Sequence, residues 1–157
     1  MLKPPENLTV SQWAERFRIL DGASNLKGRW SNDITPYLKG IMDALNDPDI
    51  RKIFFCKAAQ IGGTEALINM LCYIIHQAPA PTMIVYPSDD LAKDISNDKL
   101  KPAFRLVPEI RKIFYENSSK ELRLKFKTMV LYLSGAGSPA KLASKEIKYL
   151  FFDEIDK

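Results

Sequence analysis

Three short apolar runs constrain the fold more than any other feature of this chain: IFFC (53–56), TMIVY (82–86) and IKYLFF (147–152). Each is too short for a buried helix, and apolar residues follow one another without alternation, the pattern of a strand covered on both faces. Segments with helical signals separate them. Residues 65–77 place Leu67, Leu71 and Ile74 on one face. Ser88 opens SDDLAKDISNDKL with acids in the first turn, where a cap and the helix dipole favour them. A further helix is predicted from about 102 to 115. The run MVLYL (129–133) adds a strand, and the alternating ELRLKF (121–126) pairs with it as a hairpin through Lys127 and Thr128. Apolar strands separated by helices predict an α/β fold, with a mostly parallel sheet flanked by helices.

The first 36 residues read as polar and irregular. Ser11 is expected to cap a helix running to about Leu20, with Trp13, Phe17 and Leu20 on one face. Pro36 opens a second helix, PYLKGIMDALND, in which Tyr37, Ile41 and Leu45 share a face, and Pro48 ends it. The predicted organisation is a helical lead-in over 1–48 and a domain over 49–157. The chain stops five residues after its last apolar run. Doubly wound domains usually continue past such a point, so an incomplete domain is expected.

A net charge of +4 permits a polyanionic partner without demanding one. Cys56 and Cys72 both lie in apolar runs and are expected to be buried, reduced thiols. His76 closes an apolar helix pattern and is expected to be structural. Residues 1–10 lack the apolar core of a signal peptide, and no run reaches the roughly 18 apolar residues of a membrane span. The expected location is cytosolic, without a membrane partner.

The segment Lys57, Ala58, Ala59, Gln60, Ile61, Gly62, Gly63, Thr64 follows the first apolar run and leads into a helix. Backbone N–H groups of a tight turn, placed at a helix start, form an anion site. Glycines allow phosphate oxygens to approach, and a threonine hydroxyl at position 64 suits Mg²⁺. The match to G-x-x-x-x-G-K-[ST] is incomplete. Lys57 stands where the first glycine belongs, and Gly63 stands where the lysine belongs. A lysine at the front reaches the β- and γ-phosphates only if the loop folds back on itself. Alone, the octapeptide is also what an ordinary glycine turn looks like.

At the far end, the apolar run meets two acids, Asp153 and Glu154. Carboxylates closing a buried strand are costly without a positive partner, and a magnesium-bound nucleotide supplies one. Asp153 suits metal binding, and Glu154 suits polarising a water as general base. The alternative is a solvated strand end. DEID also reads as D-E-x-D, in which Asp156 could link nucleotide state to nucleic-acid grip. Both motifs are predicted to follow strand C-termini, the edge where open α/β sheets bind ligands. A single cleft holding a shared ATP and Mg²⁺ is therefore expected.

Several segments together resemble the N-terminal part of the GpA-type phage terminase large subunit. They are LTVSQWAERFRIL, KGRW, PYLKGIMDALND, KAAQIGGTE, APTMIVYPSDDLAKDISNDKLKPAF and LSGAGSPAKLASKEIKYLFFDEID, in that order over nearly the whole chain. The resemblance implies a phosphate-loop NTPase fold of the RecA or helicase-like type. It implies an ATPase that packages viral double-stranded DNA in the host cytoplasm. Lysine at the loop front is then a family variant. Gln60, Gly62 and Thr64 match the loop, and Asp153 and Glu154 match the metal-binding and catalytic acids. Tyr37 resembles an adenine-contacting position, although a tyrosine at helical spacing is more often core. Implied partners are a small subunit, a portal or procapsid, and further copies of the full-length protein. A nuclease domain belongs to the family's full-length proteins, and no acidic cluster for it is visible in this chain.

Two rivals remain at this level. One is a helicase-like DNA translocase. The other is a truncated, non-catalytic fragment that binds nucleotide or DNA. Ser134 to Ser138 (SGAGS), beside Lys141 and Lys145, could contact a DNA backbone or transmit nucleotide state, or simply be a solvated connection. Asp89 and Asp90 are read as capping acids.

Overall fold

A computed structural model describes residues 6–22, 27–58, 60–138, 140 and 144–154. Ala59, Lys141 and Asp156, all singled out above, lie outside the described residues. The chain divides into two compact units, Met1–Gln77 and Ala78–Lys157.

In the first unit, helix α1 (Val10–Phe17) starts two residues earlier than expected. Thr9 is its cap and forms a reciprocal capping box with Gln12. Ser11 is buried inside the helix instead. Its amide and hydroxyl donate to the Asp43 carboxylate at 2.8 and 2.7 Å. Either residue type caps well, so a partner 32 positions away decides between them. A small antiparallel ribbon, β1 (Ile19–Asp21) with β2 (Lys27–Arg29), occupies part of the segment read as irregular.

Helix α2 (Pro36–Asp43) begins at Pro36 as predicted. Its buried residues, however, are Leu38 and Met42, and Tyr37 is 52% exposed. The core face is therefore shifted one position from the Tyr37, Ile41, Leu45 stripe.

Helix α3 (Gly63–Gln77) is nearly all buried from Ala66 to Ile75, and packs with α1 and α2. His76 accepts a hydrogen bond from the Trp13 indole N–H at 3.0 Å, in line with a structural role. Burial pushes the Cys72 thiol up to about 12, with a smaller opposing effect from Arg18. Cys56 corrects the expectation, since it is exposed. So does the whole run around it: 51–58 carry no strand, and Phe54 is 88% exposed. A strand is a pairing, not a local conformation, and IFFC has no ladder partner among the described residues of its unit.

The second unit holds a four-stranded sheet in the order β4, β5, β3, β6. Strand β3 (Thr82–Tyr86) is buried throughout and central. It pairs in parallel with β5 (Val130–Gly135) and with β6 (Tyr149–Phe152). Strand β4 (Arg123–Lys125) runs antiparallel to β5, with Leu124 opposite Leu131, as the hairpin reading required. Strand β6 corrects the expectation of a fully covered strand. It is an edge strand that exposes Leu150 and Phe152.

Helix α4 (Asp89–Ile95) packs on β5 and β3, and its cap Ser88 accepts from the Leu91 amide. The helix expected over 102–115 is broken. It forms α5 (Lys101–Leu106) and α6 (Pro108–Arg111), parted at Val107, whose extended backbone is what a following proline favours. Phe104, Phe114 and Phe126 form a ring cluster, with centroids 5.0 to 5.8 Å apart, that joins these helices to the hairpin. Among the described residues no helix is long and apolar enough to cross a membrane.

Two measurements check this arrangement. Iodoacetamide at mildly alkaline pH should modify Cys56 alone, with Cys72 reacting only after denaturation. Mass spectrometry showing two adducts on folded protein would contradict the burial of α3. Gly135→Ala should be strongly destabilising, because a Cβ there would stand 2.4 Å from the Asp89 amide nitrogen and 2.6 Å from the Ser88 carbonyl carbon. Backbone cannot swing aside as a side chain can, so a loss of about 1–3 kcal/mol in urea unfolding is expected.

Candidate functional site

In the first unit, the turn before α3 is shaped by two residues with left-handed backbone, Gln60 (φ 62°) and Gly62 (φ 83°). Such angles cost little at glycine and more at glutamine. A Cβ on Gly62 would also press the Leu38 side chain at 3.2 Å. The Tyr37 hydroxyl donates to the Ile61 carbonyl at 2.8 Å. That contact ties the turn to α2 and explains why the tyrosine points away from the core. The turn ends where the Gly62 carbonyl accepts from the Ala66 amide at 2.9 Å, which starts α3. The amides of Gly63, Thr64 and Glu65 then point outward from the helix end, as the first N–H groups of any helix do.

Lys57 folds back over this helix start. A Cβ built on Gly63 would lie 2.5 Å from the Lys57 Cδ and 3.1 Å from its ammonium nitrogen. The side chain thus occupies the place a residue at position 63 would fill, and the glycine there is what lets it in. This is the fold-back that the displaced lysine needed. Its ammonium adds to the partial positive charge of a helix N-terminus, worth roughly half an elementary charge. Positive charge concentrated in this way favours an anion, and the small backbone-lined turn suits phosphate oxygens.

Glu65, the one acid in the first turn of α3, does not oppose this charge alone. Its carboxylate forms an ion pair with Arg18, which is buried and also donates to the Ile19 carbonyl at 2.7 Å. Arg18 was not legible as a site residue. Only its position next to an amphipathic helix hinted at it. Ala58 precedes the turn and is exposed.

In the second unit, Asp153 and Glu154 directly follow β6. The Asp153 amide donates to the Val85 carbonyl at 3.1 Å, so the strand's pairing extends to the first acid. Asp153 is 9% exposed, and Glu154 has left-handed backbone, φ 56°. A non-glycine residue held this way at a strand end is strained, a condition that clusters at functional sites.

The neighbouring strand ends are locked together. The Ala136 amide donates to the Tyr86 carbonyl at 2.8 Å, and the Gly135 amide donates to Asp89 Oδ1 at 2.7 Å. The Ser138 hydroxyl reaches Asp89 Oδ2 at 3.4 Å. Asp89 therefore does more than cap α4: it holds the start of the SGAGS loop. Lys145 lies with its ammonium 4.2 Å from the centre of the Tyr132 ring, a cation–π contact.

The residues present in each unit fit the group implied for them. Gly62, Gly63 and the folded-back Lys57 leave the helix start lined by backbone and an ammonium, a lining that suits phosphate oxygens. Asp153 is a buried carboxylate of the kind Mg²⁺ takes one or two of, alongside phosphate oxygens and water. The structure brings Lys57, Gly62, Gly63 and Thr64 together in one turn, with Tyr37 on its flank. It brings Asp153 and Glu154 together beside Tyr86.

Comparison with known proteins agrees with the sequence pattern. The family described as "Phage terminase large subunit gpA, ATPase domain" matches residues 24–157. The terminase large subunit of Enterobacteria phage P21 is 27% identical over 158 aligned positions, which cover 96% of this chain and 24% of that protein. The crystal structure of the HK97 bacteriophage large terminase superposes with a TM-score of 0.66 at 15% identity, over 92% of this chain and 36% of that one. At that identity the likeness speaks for the fold alone. The chain spans about a quarter of the length of the phage P21 relative.

Gly63→Ala tests the cradle directly. The fold should tolerate it, since only the flexible end of Lys57 stands in the way and alanine is the better helix former. The melting temperature should hold or rise slightly, while affinity for inorganic triphosphate falls about tenfold, or roughly 1.4 kcal/mol. Unchanged triphosphate affinity would show that the Lys57 position over Gly63 has no binding role.

Proposed function

The chain belongs to the family of the phage terminase large subunit gpA ATPase domain, and on that footing we propose that it binds ATP with Mg²⁺ and hydrolyses it as part of the motor that drives double-stranded DNA into a capsid. The observation that carries this reading is the Lys57 side chain folded over Gly63 at the start of α3.

In this reading the backbone amides from Gly62 to Thr64 hold the phosphates, with Gln60, Ile61, Ala58 and Ala59 shaping the loop. Lys57 neutralises charge on the β- and γ-phosphates, and its ammonium is worth most in the transition state, where charge spreads over the transferring group. Thr64 and Asp153 would hold the metal, and magnesium there would supply positive charge to offset that of the phosphates. Glu154 orients the attacking water and accepts its proton. Tyr37 is the proposed adenine contact, and its hydroxyl bond to Ile61 would make it report on the loop as well.

The motor role extends by family membership to partners: duplex DNA gripped through phosphates without sequence reading, a small subunit, a portal or procapsid, and further copies of the longer protein. The division into a lead-in over 1–48 and a motor domain over 49–157 is proposed on the same footing, as is action in the cytoplasm of a bacterial host.

Binding of a fluorescent ATP analogue in the presence of Mg²⁺ tests the nucleotide site. Lys57→Ala and Asp153→Ala should each weaken it at least tenfold. Glu154→Gln should leave binding within a factor of about two while abolishing phosphate release above background. Wild-type affinity in both of the first two variants would refute the site.

A further inference from the structure

Tyr86 is the last residue of β3, at the edge of the sheet where the acids emerge. The register of the parallel pair runs from Thr82 opposite Tyr149 to Val85 opposite Phe152. One position further, Tyr86 comes level with Asp153, whose amide is bonded to the Val85 carbonyl. Residues level with each other in parallel strands project to the same face, so the phenol and the carboxylate share a side of the sheet.

The ring is 1% exposed, and among the described residues its hydroxyl has no hydrogen-bond partner. Burial, and after it the negative charges of Asp153 and Glu154, push its ionisation well above the usual phenol range. A phenol is a neutral O–H donor at physiological pH even when unperturbed. The backbone is fixed too, through the bond from Ala136 to the Tyr86 carbonyl.

A buried hydroxyl without a partner is a condition folds generally avoid. Phenylalanine would fill the same space without it. Nothing in the packing of the core asks for this oxygen, and Asp153 lies level with it on the same face of the sheet. We propose that Tyr86 is a positioning residue of the metal site: when magnesium is bound, its unpaired hydroxyl turns to donate to the Asp153 carboxylate and fixes that side chain for the metal. This deepens the reading in which Asp153 holds the metal, and rests on it.

The test compares wild type, Tyr86→Phe and Asp153→Ala. Two quantities are measured for each: the melting temperature without ligand, and the Mg²⁺ concentration giving half-maximal binding of a fluorescent ATP analogue, with binding in EDTA as baseline. Tyr86→Phe should melt at or above wild type and match it in EDTA, yet need about five to ten times more Mg²⁺. Asp153→Ala should lose the Mg²⁺ dependence altogether. If Asp153→Ala loses it while Tyr86→Phe keeps the wild-type Mg²⁺ midpoint, the Tyr86 proposal is wrong and the metal site stands. If wild type itself shows no Mg²⁺-dependent binding, the metal reading of Asp153 fails and the proposal fails with it. A lowered melting temperature with an unchanged midpoint would make the hydroxyl merely structural and would also overturn it.

Discussion

The contact between the Lys57 side chain and Gly63 is the constraint on which the candidate site depends. Positive charge at a helix start repels more positive charge, so an ammonium settles there only where the geometry of the chain brings it. Here the geometry has two parts. A left-handed Gly62 turns the chain sharply enough to return it toward its own start, and a glycine at 63 leaves the space into which the lysine folds. A lysine six residues before the usual position thus delivers its charge to the helix start by way of the side chain.

The rest of the first unit keeps that helix end in place. Arg18 is buried against the first turn of α3 through Glu65, and Tyr37 grips the turn from α2. Trp13 reaches the other end of α3 through His76. These contacts brace α3 and the turn before it from the elements that precede them. In the second unit the same principle holds with different atoms. Asp89 and the Tyr86 carbonyl tie the end of β5 to the end of β3, and pairing with β3 carries Asp153 into register. Loops at the carboxyl edge of a parallel sheet are where ligands bind, and here they are cross-braced by the protein's own hydrogen bonds.

What the sequence revealed followed from local rules. The buried strand at 82–86, the hairpin register, the Pro36 helix start and the Ser88 cap each depend on a few adjacent residues. What it concealed depended on partners distant in the chain. IFFC has the composition of a strand, but a strand exists only with a neighbour to bond. Thr9 and Ser11 are equally good caps, and Asp43 chooses between them. On α2, Tyr37 and Leu38 are adjacent, and a 3.6-residue period read over two turns does not say which one faces inward. Pro108 breaks the single helix read over 102–115, because a proline disfavours helical backbone at the residue before it. Of the site, the phosphate turn and the two acids were legible as motifs. The supporting roles of Arg18 and Asp89 and the donor on Tyr86 were not, because each is defined by a neighbour from another element.

The central claim is that an ammonium over the start of α3 binds the phosphates, whichever residue carries it. The most direct measurement moves it. Lys57→Gly should weaken Mg²⁺-dependent binding of an ATP analogue at least tenfold, and adding Gly63→Lys in the same chain should restore it to within about threefold of wild type, since roughly 1.4 kcal/mol separates each factor of ten. A double variant that binds no better than Lys57→Gly, or a single variant that binds as wild type does, would contradict the claim.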